Sequence, residues 1–286
     1  MQQDNTSTPE KPVKRTVLDV DDVIEMVPRL KGHEKLVNKV LHWMCVDKVN
    51  DVHDRGFDNP GPPFVKFLLD DFNIKLRIDN EQVLDNLPEG AFITVSNHPF
   101  GALDGITLIH LIASRRPEYK VMVNMVLNRI TAMRPNFIAV DQSASDDPAK
   151  KAVSIQGIRK AMSQVRSGQP IGFFPAGAMS KVNWKWQLID RQWQPNIIRL
   201  IQQLKVPVIP IFFHGSNSFL FNLLGVVCWQ LRTVRLPSEV WRKCNSTLHI
   251  SVGDPISVEE QLKHQGSLEE FGDFLRAQTY ALRNIK

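Results

Sequence analysis

The chain has 286 residues, of which 43% are hydrophobic, enough for a sizeable core in one large α/β domain and too many for a disordered or low-complexity protein. Lys and Arg exceed Asp and Glu by 35 to 30; this mild excess favours acidic partners such as an anionic membrane, an acidic carrier protein or a phosphorylated cofactor without selecting among them. Cys45, Cys228 and Cys244 are widely spaced and form no Cys-x-x-Cys or Cys/His cluster, which points to a reducing compartment and argues against a metal site.

Residues 1–16 are polar, include Pro9 and Pro12, and are expected to be a disordered tail. They lack an apolar h-region, so no secretory signal is expected and the protein is placed in the cytoplasm. Residues 17–73 read as a helical region. Leu36, Val37, Val40, Leu41, Met44 and Val49 recur at helical spacing, with Lys31, His33, Lys35, Lys39 and Lys48 between them, the pattern of a basic amphipathic helix. A second helix over 64–72 follows the Asn59-Pro60-Gly61-Pro62-Pro63 break. Each apolar face either packs on the core or lies in a membrane interface.

From residue 74 to the C-terminus the pattern predicts one domain. Strands are expected over 74–78, 91–95, 120–123, 137–140, 171–174, 206–213 and 247–252, and helices over 104–115, 148–167, 195–204 and 268–283. Their alternation predicts an α/β fold, a mainly parallel sheet flanked by helices. The uncharged stretch 215–231 is interrupted by Asn217, Ser218 and Asn222. It falls short of the ~20 apolar residues of a spanning helix and is read as a candidate interfacial segment.

The second expected strand delivers Ser96-Asn97-His98-Pro99-Phe100-Gly101-Ala102-Leu103-Asp104-Gly105 into a Pro/Gly loop. A His exposed there can act as a general base if Asp104 accepts its Nδ1–H and leaves Nε2 free to take a proton from a hydroxyl. Asp104 also reads as the start of a helix. Three further segments fall at strand ends, where open α/β sheets place their ligands. They are Phe137-Ile138-Ala139-Val140-Asp141, the run from Phe173-Phe174-Pro175-Ala176-Gly177 to Ala178-Met179-Ser180-Lys181, and Val206-Pro207-Val208-Ile209-Pro210-Ile211.

In order, spacing and flanks these four blocks resemble the glycerolipid (lysophospholipid) acyltransferase superfamily, over most of the chain from about Val27 to the Gly253-Asp254-Pro255-Ile256 turn. The likeness is closest to its haemolysin-related branch, similar to bacterial O-acyltransferases of ornithine and glycine lipids. That branch has a first block like Asn97 to Gly105, a Phe-Pro-Ala-Gly core like Phe174 to Gly177, and a segment like His214-Gly215-Ser216-Asn217-Ser218.

The resemblance implies transfer of a fatty acyl chain from a thioester of acyl carrier protein or coenzyme A to a hydroxyl of a lyso-lipid. His98 and Asp104 would be catalytic. Asn97, Phe174, Pro175, Gly177, Ser180, Lys181 and Arg134 would bind substrate, with no permanently bound cofactor and no metal. Gly177 is a candidate to supply an oxyanion-hole N–H, Arg166 a further anion contact, and Phe100, Leu103 and Met179 an acyl groove. The basic helix near Lys31 to Lys48, the apolar stretch Phe219 to Trp229 and the lack of a spanning segment together lead us to expect peripheral attachment to the inner face of the cytoplasmic membrane.

Two departures matter. His98 and Asp104 are one residue further apart than in the wider superfamily. Ala176, Ala178, Met179 and Val140 stand where glycerol-phosphate enzymes carry charged or polar groups, which points to a monoacylated amino-acid lipid rather than lysophosphatidic acid. A hydrolase acting through Ser96, Ser180 or Cys228 is the competing enzyme reading, although the chain has no Gly-x-Ser-x-Gly elbow. A non-catalytic lipid-binding accessory protein is the competing binding reading. Dispersed basic residues argue against nucleic acid.

Overall fold

The computed structural model describes residues 14–141, 147–183, 187–227 and 229–284. Short β-branched and aromatic runs form nine strands: β1 (Lys75–Asp79), β2 (Ile93–Ser96), β3 (Lys120–Asn124), β4 (Phe137–Val140), β5 (Ile171–Phe173), β6 (Lys181–Val182), β7 (Leu188–Ile189), β8 (Val208–His214) and β9 (Thr247–Val252). Seven build one sheet in the order β1-β9-β8-β2-β5-β3-β4, while β6 and β7 pair antiparallel on their own. The five strands from β8 to β4 run parallel; β9 is antiparallel to β8, and β1 follows β9.

The helices are α1 (Val20–Met26), α2 (Glu34–Trp43), α3 (Val46–Gly56), α4 (Pro62–Asp71), α5 (Gln82–Asp85), α6 (Ala102–Leu108), α7 (Pro148–Arg166), α8 (Pro195–Leu204), α9 (Phe219–Val227), α10 (Trp229–Arg242), α11 (Val258–Leu262) and α12 (Leu268–Ala281). Successive strand residues point to opposite faces, so each face buries its own cluster. Val121, Val123, Ile209, Ile211 and Phe213 pack with α4, α6 and Val240 of α10. Met122, Ile93, Val95, Ile171 and Phe173 pack with α7, α8 and α12. The result is a sheet between two helical layers, in agreement with the predicted fold class.

Three expectations change. The basic helix breaks at Cys45, whose φ of 61° is left-handed. α2 buries Val37 and Leu41 but leaves Leu36, Val40 and Trp43 exposed. The helix expected over 104–115 starts at Ala102 and passes into a π-helical turn at Ile109–Ala113. Within the stretch 215–231, the described part folds mainly as α9 and the start of α10.

Because β8, β2 and β5 are neighbours, the loops that follow them converge at one edge of the sheet. β4 is separated from β2 by β5 and β3. The Phe137 to Val140 block therefore lies at the margin.

Candidate active site

β2 is buried throughout and ends at Ser96. The next side chain, Asn97, closes a two-way bond with β8: its Nδ2 donates to Phe213 O at 2.9 Å, and its Oδ1 accepts from Phe213 N at 2.7 Å. Both ends of the amide are thus held by backbone, and Asn97 anchors the loop rather than meeting substrate. His98 emerges at the edge with its side chain 19% exposed.

The loop then turns through Gly101 at φ 77°. A Cβ there would come 2.8 Å from Met179 Sδ and 2.9 Å from Leu236 Cδ1. This tight turn brings Asp104 back to within 2.9 Å of His98 across the five residues between them. Asp104 lies in the first turn of α6, just inside the helix rather than at its N-cap, and is fully buried.

Asp104 Oδ2 accepts the N–H groups of Phe100 and Gly101, each at 2.9 Å, and lies 2.9 Å from His98 Nδ1. The contact is at ion-pair distance but is not aligned as a ring N–H bond, and Asp104 Oδ1 has no hydrogen-bond partner among the described residues. Burial pushes the Asp104 carboxyl up, opposed by His98 and the two backbone N–H groups. The His98 ring stacks on Phe174, centroids 4.1 Å apart.

The loop after β5 braces this pair. Ser180 N donates to His98 O at 2.8 Å, and Ser180 Oγ donates to Asp190 Oδ1 at 2.6 Å. Asp190 Oδ1 also accepts His98 N at 3.3 Å, while Oδ2 accepts Trp193 Nε1 at 3.3 Å. Burial raises the Asp190 pKa, with Ser180 foremost in opposing it. Pro175 O accepts Gln194 N at 2.8 Å.

Gly177, at φ 64°, donates its N–H to Phe174 O at 2.9 Å. That N–H is committed to a turn and is not free as an oxyanion donor.

Other expected site residues lie elsewhere. Lys181 is exposed at the start of β6. Arg134 is exposed, donates Nε to Asn128 O at 2.6 Å, and sits near Asn136, whose Nδ2 bonds Tyr119 O just ahead of β3. It therefore occupies the N-terminal edge of the sheet, opposite His98. Arg166 ends α7, five residues ahead of β5 at that same edge. Phe100 and Leu103 are buried in the core.

Ser96 is fully buried and Ser180 is bonded to Asp190; Cys228 lies outside the described residues. A cavity of about 530 Å³ between the turn after β9 and α12 holds none of the expected site residues.

Two participants escaped the sequence reading. Asp190 reaches His98 across 92 residues, and Arg232 of α10 donates Nη2 to Ser180 O across 52 residues at 2.6 Å. No local pattern marks either one.

Asp79, His214 and His249 offer metal-binding atoms within 4.8 Å of one another. They are already joined: Asp79 Oδ2 contacts His249 Nε2 and accepts Ser251 Oγ at 2.8 Å, and Ser251 Oγ meets His214 Nε2 at 2.8 Å.

A sequence profile described as acyltransferase matches residues 35–286. The lyso-glycine lipid O-acyltransferase of Bacteroides thetaiotaomicron is 25% identical over 231 residues, covering 77% of this chain and 79% of that protein. The protein of the same name from Phocaeicola vulgatus is 24% identical over 248 residues, covering 82% and 85%. Among solved structures, the 1-acyl-sn-glycerophosphate (LPA) acyltransferase PlsC from Thermotoga maritima is similar at a TM-score of 0.49 and 14% identity, over 86% of this chain and 88% of that one.

Proposed function

The chain belongs to the acyltransferase family, and we propose that it moves a fatty acyl chain from a thioester of acyl carrier protein or coenzyme A to a hydroxyl of a monoacylated amino-acid lipid at the inner face of the cytoplasmic membrane. One observation carries the reading. His98 Nδ1 sits 2.9 Å from the buried Asp104 Oδ2, while no described residue hydrogen-bonds Nε2.

In this scheme Nε2 takes the proton of the acceptor hydroxyl as its oxygen attacks the thioester carbonyl. Asp104 stabilises the imidazolium, and the departing thiolate recovers the proton when the C–S bond breaks. Removing the charge of the imidazolium–carboxylate pair from water strengthens their attraction. Phe174, stacked on the ring, limits its rotation.

Two arguments favour an amino-acid lipid over a phosphate monoester. The relatives from Bacteroides thetaiotaomicron and Phocaeicola vulgatus carry the lyso-glycine lipid name. Ala176, Ala178 and Met179 of the loop after β5 also offer no cationic or hydroxyl group at those three positions to neutralise or hydrogen-bond a phosphate.

The test is competition between lyso-glycine lipid and lysophosphatidic acid, at equal concentration with one labelled acyl thioester. Acylated glycine lipid is the expected main product. A higher kcat/KM for lysophosphatidic acid overturns the acceptor assignment, and release of free fatty acid alone makes the protein a hydrolase.

A further inference from the structure

Arg232 is a buried cation that the reaction scheme leaves unused. It is 6% exposed, and its described bonds are few: Nη2 to Ser180 O at 2.6 Å and a stack over the Phe221 ring at 4.9 Å. Nε has no hydrogen-bond partner, and no described carboxylate pairs with it. A guanidinium carries five N–H donors in a planar fork, and a buried charge without a counter-ion is costly. Burial, followed by the nearby Arg191 charge, lowers its pKa to about 10.

Room for the group is built in. A Cβ on Gly225 of α9 would come 2.8 Å from Arg232 Cδ and 2.9 Å from Nη1. The guanidinium is also close to the base, because Ser180 joins them: its O accepts from Arg232 and its N donates to His98 O.

We propose that Arg232 binds the carboxylate of the acyl acceptor, the missing counter-ion of an otherwise unpaired guanidinium held one residue from the His98 loop. This rests on the amino-acid lipid reading above. In such an acceptor the carboxylate is only a few bonds from the reacting hydroxyl, whereas the phosphates of a thioester donor are a full pantetheine arm away from the reacting carbonyl. An anion site beside the base therefore suits the acceptor. The planar fork matches a carboxylate through two parallel N–H···O bonds, and Arg191 adds positive potential.

The probe is N-octanoylglycine against its uncharged methyl ester, with binding to the full chain followed by calorimetry. Wild type should bind the acid about 10-fold or more tighter than the ester, the size expected of charged hydrogen bonds. Arg232→Met should bring the ratio close to one and melt at or above the wild-type temperature, since an unpaired buried charge is removed. Arg232→Lys should keep part of the preference.

Gly225→Ala, which retains the charge but displaces the guanidinium, should also lower the ratio and serves as the test if Arg232→Met does not fold. An unchanged acid-to-ester ratio in the folded variants overturns the proposal. So does an Arg232→Met effect confined to the KM of acyl-coenzyme A and absent with acyl-pantetheine. Arg232-dependent acid binding without any acylation would instead remove the transfer reading and leave the carboxylate site standing.

Discussion

His98 is held on one side and open on the other: Nδ1 faces Asp104 at 2.9 Å and the ring leans on Phe174. Replacing His98 with Ala should reduce acyl transfer by ~10²–10⁴, the usual contribution of a positioned base, with little change in melting temperature. Wild-type turnover in that folded variant would remove the base assignment. Asp104→Asn is the subtler test. Its side-chain oxygen can still accept the N–H groups of Phe100 and Gly101, so α6 should keep its start. Because that same Oδ2 position faces Nδ1, the amide NH2 would take the Oδ1 position and the change would remove the negative charge that stabilises the imidazolium. A loss of ~10²-fold or more in kcat is expected, with the folded state retained by circular dichroism. Gly177 supplies a structural counterpart: an alanine there would hold φ 64° at roughly 1–2 kcal/mol and would meet the Gln194 side chain. Gly177→Ala should lower both the melting temperature and the activity. Activity lost with no stability change would mean that the turn acts otherwise than by shape.

At the scale of elements, the seven strands of the main sheet were legible as short, largely apolar runs between turn residues, whereas β6 and β7, two residues each, were not. The His98–Asp104 pair was legible because one loop and one helical turn carry both partners. The break at Cys45 was not, since helical spacing continues through it without Gly or Pro. What ends α2 is tertiary: Val37 and Leu41 pack in a small cluster with Leu18, Val20 and Val23, while Val52 of α3 joins the main core. α10 was hidden by Pro237 inside it, and Asp190 and Arg232 by contacts distant in sequence. The join between α3 and the domain has a pH signature of its own. His53 Nδ1 bonds Arg15 O at 2.6 Å, and its Nε2 accepts Ala132 N at 3.3 Å, so the ring is neutral. Burial lowers its pKa. Below the unfolded value of about 6.5 the unfolded chain binds the proton more readily than the folded one, so this stability is present above that pH and is lost as pH falls through it. His53→Gln should shrink the difference between melting temperatures at pH 7.5 and pH 5. An undiminished difference would place the acid sensitivity elsewhere.

Across the whole molecule, exposed apolar side chains gather on two helices. Leu36, Val40 and Trp43 are 58%, 44% and 60% exposed in a single stripe along α2, and Phe219, Leu220 and Leu223 stand out from α9. Trp43 and Met44 share a cavity of about 180 Å³ with Arg235 and Ser238 of α10, and α9 carries the Gly225 that makes room for Arg232. The two stripes thus connect to elements that border the site. No described helix is long and apolar enough to cross a membrane. In the membrane attachment proposed above, these faces would insert partially, with Lys31, Lys35 and Lys39 supplying attraction of about 1 kcal/mol each near an anionic surface. Leu36→Ser combined with Trp43→Ser should therefore reduce co-sedimentation with phosphatidylglycerol vesicles and slow acylation of a vesicle-embedded acceptor. Turnover of a short-chain soluble acceptor should be unchanged, because neither residue touches the dyad. High salt should weaken wild-type binding through the lysines. Vesicle binding that survives both the double substitution and high salt would exclude this face and this charge as the attachment, whereas equal losses on both acceptors would mean that α2 supports the fold of the site rather than delivering lipid to it.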